Sequence, residues 1–193
     1  MNQEVLKELF IEQIRDIYDA EKQLVKALPK LAKASESEEL SEALNNHLEE
    51  TQQQVQRLEQ VFQIAGTNAK GKPCKGMKGL LEEGNEAVQE EDEGALRDLA
   101  IIAGCQRVEH YEISAYGTVR TLAEQLDMED AVELLQQTED EEKQADEKLT
   151  QVAQSIYESA GQEEGEEEEE TASAAPARRA QSKAKPAVRR AGR

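Results

Sequence analysis

The sequence has no tryptophan and only two phenylalanines and four tyrosines, an aromatic content of 3%. So thin a supply argues against a β-sandwich or an α/β sheet, whose strands draw on aromatic and β-branched residues. Proline is nearly as scarce: there are four, and Pro176 and Pro186 fall close to the C-terminus. Little therefore interrupts a helix before the last part of the chain. The two cysteines, Cys74 and Cys105, carry no disulfide signature, which points to a reducing cytoplasm. No apolar run approaches the roughly 18–20 residues that span a membrane. The opening Met-Asn-Gln-Glu-Val-Leu has neither the basic region nor the apolar stretch of a signal peptide. The expectation is a cytoplasmic protein with no membrane partner.

Glu, Gln, Ala, Leu and Lys dominate instead, and all are strong helix formers. At 193 residues the chain is long enough for one domain with a proper core. The formal net charge is -19. The acidic run Glu163 to Glu170 is balanced by the basic residues Arg178, Arg179, Lys183, Lys185, Arg189, Arg190 and Arg193. The body before them holds 35 acids against 16 bases, again -19. Such a body repels nucleic acid and anionic membranes and attracts cations.

Apolar periodicity divides the first 160 or so residues into four long helices, over about Asn2–Ala34, Glu38–Ala65, Ala95–Leu126 and Glu129–Ala160. Ser35 or Ser37 is a suitable N-cap for the second, and Gly66 a suitable stop. Pro29 is expected to bend the last turn of the first helix. Short links join helices one and two, and three and four, so each pair forms an antiparallel hairpin. The long connection from Gly66 to Gly94, with a short helix around Met77, Leu80, Leu81 and Val88, lets the third helix start at the opposite end. The expected fold is an all-α, ferritin-like antiparallel four-helix bundle with one long crossover between helices 2 and 3. Residues 1–161 form the bundle; 162–193 form an acidic-then-basic tail with too little apolar surface to order itself.

Each apolar stripe is interrupted near its middle by an acid. Glu21 stands between Ile17 and Leu24, and His47 and Glu50 between Leu44 and Leu58. Glu109 stands between Ile102 and Ile113, and Glu142 between Leu135 and Leu149. Residues three or four apart share a helix face, so these acids point inward and meet at one height. Buried charges need compensation. No Lys or Arg interrupts the stripes nearby, which favours cations over ion pairs. Di-iron and di-manganese bundles use one Glu from each of two helices and Glu-x-x-His from the other two. Here the second helix has the reversed order His47-x-x-Glu50, and the fourth has Glu139-x-x-Glu142 and Glu142-x-x-x-Asp146 without histidine. The third has Glu109-x-x-Glu112 with His110 beside it, a boundary residue or a ligand. Tyr111 and Tyr116 read as packing residues, and Cys105 as a small buried thiol.

Four segments carry a resemblance: Ile17-Tyr18-Asp19-Ala20-Glu21-Lys22-Gln23-Leu24, Pro73-Cys74-Lys75-Gly76-Met77-Lys78-Gly79-Leu80, Glu109-His110-Tyr111-Glu112-Ile113 and Asp140-Glu141-Glu142-Lys143 through Asp146. Together, over about residues 3 to 158, the chain resembles the YciE/YciF family of ferritin-like bacterial stress proteins. The resemblance implies a rubrerythrin-like bundle, a homodimer and a di-metal centre. Carried over, the metal ligands are Glu21, His47, Glu50, Glu109 and Glu142, then Glu112 and Asp146, with Glu139 behind them.

Two functions follow. In the first, two metal ions, iron or manganese, sit in the bundle core and react with peroxide or oxygen. In the alternative, the protein is a non-catalytic structural or interaction protein of the stress response. The basic residues of the tail, spaced by Ala and Pro, add a third element, contact with DNA phosphates.

Overall fold

A computed structural model describes the backbone of residues 2–90 and 93–173, and the side chains of these except 87, 90 and 162–173. The described residues are mostly helical and contain no strand. Five helices follow in order: α1 Gln3–Ala34, α2 Glu38–Ile64, α3 Lys75–Glu90, α4 Ala95–Gln125 and α5 Glu129–Ser173. The helix α5 runs past Gly161, where the apolar pattern ends; Glu, Gln and Ala there favour helix without a stripe to bury. The basic residues assigned to a tail lie outside the described residues. The described residues up to Ala160 form one compact unit, distinct from those that follow. No helix among the described residues is long and apolar enough to cross a membrane.

Local chemistry sets the helix ends. Asn2 caps α1, its side chain accepting from the Glu4 N–H at 2.9 Å, and Ser37 caps α2 by accepting from Leu40 N–H at 3.3 Å. The helix α1 continues through Pro29 to Ala34. At the end of α2, Gly66 takes φ 72°, Thr67 N–H donates to Phe62 O at 3.0 Å and Gly66 N–H to Gln63 O at 2.9 Å. That is a Schellman stop, and glycine is there for its positive φ. Asp127 does the same at φ 55° after α4, with Met128 N–H donating to Ala123 O. A buried carboxylate then ties the first hairpin down: Asp98 of α4 accepts from Glu36 N–H at 3.0 Å and Ser37 N–H at 2.7 Å.

Two apolar clusters make the core. One gathers Leu24, Leu28, Leu40, Leu44, Ile101, Ile102, Cys105, Leu149, Val152 and Ile156. The other gathers Phe10, Ile14, Ile17, Leu58, Val61, Phe62, Tyr116, Val119, Ala123 and Leu135. Along α1 and α5 the sequence passes from the second cluster to the first; along α2 and α4 it passes from the first to the second. Between the two sets lie buried polar side chains, among them Glu21, His47, Thr51, Gln54, Glu109, Glu112, Thr138 and Glu142.

The Pro73–Leu80 segment is anchored by polar contacts. Cys74 N–H donates to Asp19 Oδ2 at 2.8 Å, and Cys74 O accepts from Gln23 Nε2 at 3.1 Å. The Tyr111 hydroxyl donates to Asp16 Oδ2 at 2.8 Å and lies 2.9 Å from Cys74 Sγ. Gly76 passes under this ring so closely that a Cβ would stand 2.9 Å from Tyr111 Cε2. With the ring held at its hydroxyl, Gly76→Ala is expected to cost about 1–3 kcal/mol of stability. Urea unfolding measures it, and an unchanged midpoint would show that the segment yields without cost.

Candidate metal centre

The polar layer is built from four helices. The spacing that makes α1, α2, α4 and α5 amphipathic also turns Glu21, His47, Glu109, Glu112 and Glu142 inward between the apolar clusters. Glu21, Glu112 and Glu142 have no exposure, and Glu109 and His47 almost none. Four of these side chains converge: His47, Glu109, Glu112 and Glu142 each offer a ligand atom, and these atoms all lie within 4.8 Å of one another. His47 Nε2 is 3.4 Å from Glu109 Oε1 and 3.8 Å from Glu142 Oε2. Glu109 and Glu112 stand one turn apart on α4, so one helix contributes two carboxylates to one site.

The electrostatics are those of a site short of positive charge. Burial raises the pKa of Glu109 well above the carboxylate range, and the neighbouring Glu142 raises it further. Glu112 is raised by burial and then by Glu21, Glu142 and Glu109. Glu21 is raised by burial and by Glu142, against a lowering hydrogen bond from Tyr116. Glu142 is raised by burial, although His47 pulls the other way.

Few of these atoms find a partner within the protein. Both ring nitrogens of His47, both oxygens of Glu112 and of Glu142, Glu109 Oε2 and Glu21 Oε2 are buried without a hydrogen bond. Among the described residues only Arg15 Nε and Gln54 Oε1 share that condition. Each such group costs about 1–3 kcal/mol if left so. A set of carboxylate oxygens with one imidazole, orphaned in one place, could hold a metal ion.

Other assigned residues lie elsewhere. Glu50 has a side chain 49% exposed and reaches the centre only through a 3.6 Å approach of its Oε2 to His47 Nδ1. Asp146 faces away, accepting from Gln106 Nε2 at 3.0 Å and meeting the exposed His110 at 3.4 Å. Glu139 is held by Arg120 at 2.8 Å and Lys143 at 2.7 Å. Glu112, ranked behind Glu50 by sequence, is the more central residue.

The expectation that no basic residue stands near needs correction. Arg57 of α2 is buried and grips Glu141 of α5 with two bonds, Nη1 to Oε2 at 2.8 Å and Nη2 to Oε1 at 2.9 Å, while Nη1 also donates to Thr138 Oγ1. Gln54 adds a bond to Glu141 at 3.2 Å. The guanidinium lowers the Glu21 pKa from nearby, yet its bonds go to Glu141 and Thr138. Tyr116 fills the core as a packing residue should, and its hydroxyl also donates to Glu21 Oε1. A signal for both existed. Arg57 follows Gln54 by one turn, and Tyr116 follows Glu109 by two.

The chain matches, over residues 5–161, the family described as domain of unknown function DUF892. It is 47% identical over 154 residues to the protein YciF of Escherichia coli strain K12, a match spanning 79% of this chain and 93% of that one. The crystal structure of that stress protein superposes with a TM-score of 0.77 at 45% identity, over 79% of this chain and 97% of the other. YcfI of Rhodopseudomonas palustris, provisionally described as structural, gives 0.74 at 43% identity, over 75% and 92%. A Xanthomonas campestris protein at 18% identity and a TM-score of 0.65, over 83% and 99%, shares the fold.

Proposed function

The chain belongs to the DUF892 family, with YciF among its relatives, and from that premise we propose that it is a ferritin-like stress protein holding two metal ions, iron or manganese. The bundle consists of α1, α2, α4 and α5, with α3 lying in a crossover. The order of the two apolar clusters along each helix supports this: α2 and α4 run the same way, so the chain between them must return along the bundle.

The observation that carries the reading is the set of orphaned donors on His47, Glu109, Glu112 and Glu142. Those four residues would hold the ions, with Glu21 beside them. Iron or manganese, when bound, supplies one-electron chemistry toward peroxide or oxygen. The protein's part is to keep the carboxylates in place and to close the layer at its two apolar ends. The hydroxyl of Tyr116 orients Glu21, Arg57 holds Glu141 away from the centre, and the apolar clusters seal the layer on both sides. Protein loaded with iron(II) without air and then desalted is expected to retain about two equivalents per chain. Retention below about a tenth of an equivalent, far short of that bundle stoichiometry, rules the centre out.

A non-catalytic role is the second reading, favoured by the structural description of YcfI. Under it, Glu112→Gln with Glu142→Gln leaves survival under peroxide unchanged even where metal is lost. A fall in survival decides for chemistry at the centre. Two partners complete the proposal. The exposed pair Val5 and Leu9 on α1 offers an apolar surface to a second copy in a homodimer, which sedimentation checks. The basic residues from Arg178 onward contact DNA phosphates, which retention on DNA with and without residues 174–193 checks.

A further inference from the structure

Between α2 and α5 a cavity of about 520 Å³ runs inward from solvent. Its inner wall includes His47 and Glu109, both more than nine-tenths buried and both carrying atoms without a hydrogen bond. Its outer wall carries Glu42 and Glu50 from α2 and Glu147 from α5, all exposed. A single cation stands among them: Lys148, whose charge is answered by Glu39 at 2.7 Å across the two helices. The remaining acids therefore give the groove a negative potential.

We propose that this groove is the route by which a hydrated divalent cation reaches the buried centre, with Glu50 as its outer station and not a resident ligand. The inference rests on the metal-binding reading of the centre.

Three observations carry it. The first is size: the groove is far larger than the space one water needs, so there is room in it for a cation with its waters. The second is charge. Acids along a cleft whose walls include Leu44 and Leu149 concentrate cations there, because the apolar walls focus the field. The third is the position of Glu50. Its side chain is half in solvent while Oε2 stands 3.6 Å from His47 Nδ1, so one carboxylate spans the step from water to the inner imidazole. The reversed order His47-x-x-Glu50 has its reason here: the histidine is the inner member and the acid, one turn on, looks outward.

The test uses cobalt(II) as the probe, mixed rapidly with full-length metal-free protein and followed by visible absorption, with final content measured by elemental analysis. Glu50→Gln and the double variant Glu42→Gln with Glu147→Gln are expected to slow uptake roughly tenfold and weaken its dependence on salt. Their final cobalt content should equal that of the unaltered protein. Ala145→Phe, which narrows the groove without touching a charge, should also slow uptake. If Glu50→Gln lowers the final content at an unchanged rate, Glu50 is a ligand and the proposal is overturned. Uptake at the same rate in both charge variants places the route elsewhere, while the centre stands. If the unaltered protein takes up no cobalt, the centre itself fails, and the route with it.

Discussion

Glu112→Leu should make the metal-free protein more stable while it destroys metal binding. Glu112 is fully buried, neither of its oxygens has a hydrogen bond, and it stands against Glu21, Glu109 and Glu142. Leucine is close to it in volume and brings no charge to desolvate. Replacing poorly compensated buried charge with apolar side chains often stabilises by about 1–4 kcal/mol, and a gain in that range is expected at pH 8. In a folded unit of this size, 1 kcal/mol moves the melting temperature by about 2–4 °C. The matching loss is of iron or manganese, which the variant should fail to retain after desalting. Paired calorimetry and metal analysis decide the matter. A variant less stable without metal than the unaltered protein would mean that Glu112 is satisfied by its neighbours, and the argument from orphaned atoms would collapse.

The second large effect is the pH dependence of the metal-free protein and its reversal by metal. Burial first, and neighbouring carboxylates after it, raise the pKa values of Glu21, Glu109, Glu112 and Glu142 above the ordinary value of 4.5. Across the window between the unfolded and folded pKa values, the folded state holds protons that the unfolded state has released. Stability therefore falls as pH rises through that window. The melting temperature of chelator-treated protein should be highest near pH 5 and decline toward pH 8. Metal needs the deprotonated carboxylates and so acts in the opposite direction. At a fixed free manganese concentration about a hundredfold above its dissociation constant at pH 8, each ion adds about 2.7 kcal/mol there, and less at pH 5, where binding is weaker. The melting curve of the loaded protein should then flatten or rise with pH. Parallel declines with and without manganese would separate the acids from the metal.

Much of this was legible from local sequence. Caps, stops and apolar stripes concern residues a few positions apart, so Ser37, Gly66 and the helical spans could be read directly. Glu21, His47, Glu109 and Glu142 could be read too, because a polar residue on an otherwise apolar stripe is visible in one helix alone. Arg57 could not. It is buried because Glu141 and Thr138 of α5 face it, and which residue of α5 lies opposite α2 is a matter of how two helices pack. Glu50 and Asp146 fall near the correct faces by spacing, yet a rotation of a few tens of degrees separates a ligand from a groove residue.

The sequence by itself determined an all-helical chain whose apolar stripes are each interrupted near the middle by polar residues. Helix formation and amphipathic spacing are short-range, so nothing distant was needed to read them. Only the tertiary structure decided which acids meet. It brought Glu112 beside His47, Glu109 and Glu142, left Glu50 at the mouth of a groove, and gave Asp146 to Gln106 and His110. The reason is physical: a side chain becomes a ligand or a surface group according to what the neighbouring helices leave open, and that depends on their packing angle and register.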